Sequence, residues 1–286
     1  MFGFKILTSI DVFSRKPIYF ELVTDLRGKT HSDFYVGCLI AAGGAPANVA
    51  VDGANAWNGV REQVRAIHGD PDAAQLLAAN GDVVAVRRFN QTSSVHNLAI
   101  ERHWVDVNMV TKKWKEEFRL LEALGCFVVD DAGDTFSLTT VYFSAVQSNL
   151  AAHYGAMCER KKRKTTINPD YPSGTWRRSD LYSSFKSHLI PLTLPEIEEI
   201  QSIGHASTPD EPLSEHQIDP LTSEADRAAR FDAIEALRPL QLAEEYVAHR
   251  SFTKRLEFTP QARAEAAREA ADGVVEFRRR RAAASW

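Results

Sequence analysis

An α/β fold is the class this sequence predicts: a mixed sheet flanked by helices, with a helical C-terminal extension. Three observations carry that expectation. Short runs rich in Ile, Leu, Val, Tyr and Phe alternate with stretches whose apolar residues recur at helical spacing. The 286 residues are 44% hydrophobic, enough to build a sizeable core. The last third turns rich in Ala, Glu and Arg, residues that favour helix.

The elements follow in order. Lys5–Ser14 reads as a buried strand, Ser14-Arg15-Lys16-Pro17 as a turn, and Ile18–Thr24 as the returning strand of a hairpin. Thr30–Ala42 is expected to be helical, capped by Thr30 or Ser32 and stopped by Gly43-Gly44-Ala45-Pro46. Asn48–Asp52 is a short apolar strand ending in an acid. Asn58–His68 and Asp72–Ala79 read as helices broken by Gly69-Asp70-Pro71, with Val83–Val86 as a short strand. Asn97–Leu124 is a long helix on the spacing of Ile100, Trp104, Val107, Trp114, Phe118 and Leu121, ended by Gly125. A second long helix is expected from about Ser137 to Arg160. Asn168–Gly174 is turn-rich, Gly204–Ser223 reads as a flexible linker, and Ser223–Arg250 and Pro260–Arg281 as polar helices without a core of their own. The domain expectation is therefore a core over 1–180, a partly disordered linker over 181–222, and a helical tail over 223–286.

Composition narrows the function classes. No stretch approaches the apolar length of a transmembrane helix, and Met-Phe-Gly-Phe-Lys does not resemble a secretory signal. Cys38, Cys126 and Cys158 are far apart and read as reduced thiols of an intracellular protein. The net charge of -4 conceals a basic middle, since residues 151–190 hold 8 Lys and Arg against 3 Asp and Glu. Its densest run, Arg160-Lys161-Lys162-Arg163-Lys164, is read in two ways: a contact for DNA phosphates or a nuclear-localisation signal, or else a solvated helix end. Arg278–Arg281 reads as a solvated helix face.

Two acids stand out. Asp52 sits at a strand's C-terminal end beside a Gly-containing turn, where a carboxylate faces an open crevice. It also fits a plain turn-initiating Asp. Glu101 lies in the first turn of the long helix, where the helix dipole favours an acid whatever its role. A zinc reading of His96, His103 and Asp106 lacks any zinc spacing, so these read as a loop His and a helix-surface His.

The segment Ser94-Val95-His96-Asn97, followed by Ile100-Glu101-Arg102, Trp104 and Asp106-Val107, resembles the signature of the integrase core domain, the DDE-type integrases and transposases. Ile10-Asp11-Val12-Phe13-Ser14-Arg15 resembles the family's second strand, and Val51-Asp52-Gly53 the strand end bearing its second catalytic Asp. Phe118–Glu122 through Asn168-Pro169 resembles its helical tail and following loop, so the likeness spans about residues 4–180.

The resemblance implies a ribonuclease H-like fold and DNA integration by metal-dependent phosphoryl transfer. In that chemistry carboxylates hold two divalent ions about 3.5–4 Å apart. It implies Asp52 and Glu101 as catalytic and metal-holding acids, with Mg²⁺ or Mn²⁺ as cofactor. Asn97 would cap the Glu101 helix, and Arg87, Arg88 and Arg102 would hold phosphates, or be solvated surface charges. Lys161, Lys162, Arg163 and Lys164 complete the expected nucleic-acid contacts. DNA is the expected partner, a homodimer is implied, and no membrane is involved. The family's first catalytic Asp lies on a strand before the Asp11 strand, and residues 1–10 contain no acid. A truncated gene model or a decayed element is therefore expected, with an incomplete acidic triad, impaired catalysis and an open edge on the Lys5–Ser14 strand. The alternative is a non-catalytic remnant that binds nucleic acid or protein.

Overall fold

The computed structural model describes residues 2–72, 75–77, 83–85, 87–91, 98–129, 131–163, 175–185, 189–208, 239–253 and 272–280. The chain divides into two compact units, one of residues 1–4, 108–151 and 212–286, the other of residues 5–107 and 152–211.

The second unit opens on the expected hairpin. β1 (Lys5–Ile10) pairs antiparallel with β2 (Pro17–Val23), its register slipping at Ser9/Ile10. Asp11 makes the turn: its Oδ2 accepts the Ser14 N–H at 2.6 Å and its carbonyl accepts the Arg15 N–H. Pro17 opens β2, where a missing N–H is tolerated.

α1 (Gly28–Ala42) starts earlier than the sequence predicts. Neither expected cap serves: Arg27 holds the cap position, and the Thr30 hydroxyl bonds the Asp25 carboxylate instead. Gly43 ends the helix at φ 78°, a left-handed conformation in which the Leu39 and Ile40 carbonyls both accept its N–H. One face of α1 packs Phe34 with Leu7 and Val23 of the hairpin. Tyr35 and Leu39 instead join Val51, Val60, Val64, Phe89 and Ile200. Gly37 permits the hairpin contact, because a Cβ there would lie 2.4 Å from the Tyr19 ring.

β3 (Val49–Val51) and α2 (Asn58–His68) match the expected strand and helix, with a 3₁₀ turn at Asn55–Trp57 between them. The helix expected over 72–79 is not there: β4 (Gln75–Leu77) pairs antiparallel with β5 (Val83–Ala85). Asn80-Gly81 lies between the two runs, and that dipeptide favours a hairpin over a helix. β6 (Phe89–Gln91), not foreseen as a strand, runs parallel to β3.

α3 (Leu98–Ala123) and α4 (Ala132–Cys158) are the two long helices. α4 begins five residues early because Asp131 caps it, its Oδ1 accepting the Asp134 N–H at 2.8 Å. The basic run is not a helix end. Lys161–Arg163 form β7, paired antiparallel with β8 (Thr175–Arg177). Lys164, the Asn168–Gly174 loop and residues 209–238 lie outside the described residues.

The segment 181–222, expected to be a partly disordered linker, holds most of α5 (Arg178–Phe185) and all of α6 (Leu194–Ala206). α6 packs on α1 and α2, burying Ile200, so the segment has an apolar face that the Gly, Ser and Glu content masked. Its start is signalled by Thr193-Leu194-Pro195-Glu196, in which the Glu196 carboxylate accepts from the Thr193 N–H at 2.7 Å.

The described strands form four two-stranded pairs rather than one mixed sheet. Strands of three residues make few ladder bonds, and such pairs depend on the helices packed against them.

In the first unit, Phe118, Leu121, Leu138 and Tyr142 are buried together with Phe2, Phe127, Tyr246 and Phe277. The tail thus supplies core residues: α7 (Pro239–Thr253) buries Leu242 and Tyr246, and the Tyr246 hydroxyl donates to the Cys126 carbonyl at 3.0 Å. Asp134 is fully buried, accepts the Val128 N–H at 2.8 Å and pairs with Arg250. Asp134→Ala is expected to destabilise the protein by about 3 kcal/mol, because it leaves the Arg250 cation without its buried counter-charge. A urea denaturation midpoint compared with wild type measures this.

Candidate functional site

Val49 and Val51 face inward, Ala50 outward, as alternation in a strand requires. The parallel register Val49↔Phe89 and Val51↔Gln91 brings the C-terminal ends of β3 and β6 together. Asp52 stands at that end, exposed. Its Oδ1 accepts two hydrogen bonds, from the Ala54 N–H at 3.3 Å and from the Trp57 indole N–H at 2.6 Å. The Gln91 side chain donates to the Ala54 carbonyl at 2.9 Å and ties the turn to β6. Asp52 therefore does initiate a turn, but with one oxygen only. No hydrogen bond among the described residues reaches Oδ2.

Glu101 lies in the first turn of α3, exposed, with no hydrogen bond or ion pair among the described residues. Arg102 beside it is also exposed. Asn97, the expected cap, lies outside the described residues, as does His96.

Arg87 and Arg88 precede β6, so they sit at the N-terminal end of the parallel pair. Three residues at about 3.3 Å each separate that end from Asp52. Arg88 is occupied there: its guanidinium donates to the Ala47 carbonyl at 3.1 Å and its backbone N–H to the Pro71 carbonyl at 2.8 Å. It fastens the start of β3 to β6. Arg87 is exposed, and its carbonyl accepts the Asn90 side-chain amide at 2.9 Å. Lys161, Lys162 and Arg163 are gathered on β7, and the register sets Lys161 opposite Arg177.

His103, expected on the helix surface, is buried. Its Nε2 lies 3.0 Å from the Thr8 hydroxyl and 2.8 Å from the Tyr154 hydroxyl, which also touch each other. Burial pushes the imidazole down to about 4, against the opposing pull of Asp106. Burial likewise raises the Tyr154 phenol, so the cluster is neutral and ties α3 to β1 and α4. The helical stripe in the sequence passes through residue 103, and counting only apolar residues hid it.

Mg²⁺ and Mn²⁺ take oxygen donors. The Asp52 Oδ2 and the Glu101 carboxylate are exposed oxygens with no competing partner among the described residues, so the donor chemistry fits such an ion. Among the described residues, no group of three or more His, Cys, Asp or Glu is gathered to hold a metal. Asp11 is engaged in its own turn.

These features define a mixed α/β domain with a carboxylate at the open end of a parallel strand pair and a second acid opening the long helix that follows. The chain belongs to the integrase core domain family, whose model matches residues 1–187. That membership points to an integrase- or transposase-like function. No curated protein and no solved structure matches the chain. Among the described residues, no helix is long and apolar enough to cross a membrane.

Proposed function

We propose that the chain is an integrase-like core of ribonuclease H-like fold that transfers DNA strands with the help of a divalent cation. Asp52 and Glu101 are the cation-holding carboxylates in this reading. The observation that carries it is the Asp52 carboxylate, pinned through Oδ1 and open at Oδ2, at the C-terminal end of a parallel strand pair. Mg²⁺ or Mn²⁺ supplies positive charge for the phosphoryl oxygens and for the attacking hydroxyl. The protein's part is to hold that charge and to position the DNA. Gln91 and Trp57 fix the Asp52 turn. The Thr8–His103–Tyr154 cluster fixes α3 two residues beyond Glu101, so both acids stand on supported backbone.

Asp11 is not counted among the cation ligands in this reading, because its Oδ2 is engaged by the Ser14 N–H in the turn after β1. The test is a Mn²⁺-dependent strand-transfer assay on an oligonucleotide duplex, with Glu101→Gln as control. Weak activity abolished by the substitution supports the assignment, whereas activity that survives it removes Glu101 from the site.

The β7–β8 ribbon favours a second, non-catalytic reading in which the chain binds DNA without cutting it. β7 gathers Lys161, Lys162 and Arg163 on one short strand, a density of basic residues that suits DNA phosphates, while Arg177 in the register opposite Lys161 is paired with Glu159. Replacing Lys161, Lys162 and Arg163 by Gln is expected to lower the slope of log affinity against log salt by about 2–3. DNA binding titrated across a salt series measures that slope.

A further inference from the structure

Trp57 has no sequence signal of its own, yet it makes the shorter of the two hydrogen bonds to the Asp52 carboxylate, 2.6 Å from Nε1 to Oδ1. Its ring is half-buried and packs against both apolar clusters of the second unit, the one that holds Leu7 and Phe34 and the one that holds Val51 and Val60. The buried His31 meets it edge-on, with ring centroids 4.3 Å apart. His31 is itself held, its Nδ1 donating to the Arg27 carbonyl at 2.9 Å. The indole N–H is thus fixed by the core and directed at an exposed carboxylate. A turn-forming Asp does not require this: the Ala54 N–H already closes the turn.

We propose that Trp57 is a positioning residue that holds Asp52 in the rotamer presenting Oδ2 to a divalent cation, with His31 bracing the indole from behind. The inference rests on Asp52 being a cation ligand. Donors to the back of a ligating carboxylate orient it, and their loss typically weakens metal binding about 10–100-fold. The indole is also a built-in reporter, since an ion bound at the other oxygen of the same carboxylate lies close enough for Mn²⁺ to quench it.

The experiment is a Mn²⁺ titration of the full chain, followed both by tryptophan fluorescence and by the spin-resonance signal of free Mn²⁺. In the wild type the quench is expected to saturate in step with ion binding. Trp57→Phe is expected to lose that quench and to bind Mn²⁺ at least tenfold more weakly, with an unchanged circular dichroism spectrum. If Trp57→Phe does not fold, benzothienylalanine at position 57 keeps the bicyclic shape, lacks the N–H, and carries the same comparison. Unchanged Mn²⁺ affinity without the N–H overturns the positioning role. Asp52→Asn separates the two levels: if it too binds Mn²⁺ like the wild type, the reading of Asp52 as a ligand fails, and the inference about Trp57 fails with it.

Discussion

Neutralising either Asp52 or Glu101 is expected to lower Mn²⁺-dependent strand transfer by about 10²–10³-fold, the effect of losing several kcal/mol of charge stabilisation in the transition state. The two substitutions are not expected to multiply. In the proposed arrangement each acid is useful only while the other holds the same ion, so the double variant should lose little more than either single one. Neither change should disturb folding, because both side chains are exposed and Glu101 has no partner among the described residues. Asp52→Asn keeps an oxygen for the Trp57 and Ala54 donors. Strand-transfer rates for wild type, both single variants and the double variant measure this. Losses that multiply would mean the acids act separately.

The second large effect is on stability at acid pH. His103 is buried and neutral, with its folded value lowered from 6.5 to about 4 by desolvation. The unfolded chain takes up this proton near pH 6.5, while the folded chain resists until about pH 4. Between those values the unfolded state binds more protons, so stability falls as the pH drops and levels off below the folded value. The loss attributable to this one side chain is on the order of 3 kcal/mol. His103→Gln should flatten the dependence over that window while costing stability at neutral pH, where it disturbs the contacts to Thr8 and Tyr154. Urea midpoints at pH 7.5, 5.5 and 4 for both proteins provide the comparison. An equal pH dependence in the two would place the acid sensitivity elsewhere.

Much of this arrangement is legible in the sequence. The strand before Asp52, the Asn58–His68 helix and the long helix bearing Glu101 follow from apolar spacing and from the glycines that end them. What spacing did not show is how elements pair. β6 is only Phe-Asn-Gln, too short and polar to stand out, yet its parallel pairing with β3 aligns the strand ends at the Asp52 turn. Arg88 looked like a free cation near the crevice, but the strand direction puts it at the opposite end, bonded to Ala47. His103 looked like a surface residue because a polar side chain interrupts the apolar count, although its hydroxyl partners come from β1 and α4, distant in sequence. Gly204–Ser223 reads as linker from small and polar residues, yet its first three residues belong to α6, whose buried face is set by Ile200.

The central claim is that Asp52 and Glu101 hold one divalent ion between them. Crystals grown with Mn²⁺ test it most directly through the metal's anomalous signal. The expected result is a peak about 2.1 Å from an oxygen of each carboxylate, with Asp52 contributing the oxygen that Trp57 leaves free. A peak that touches only one of the two acids, or none, would contradict it.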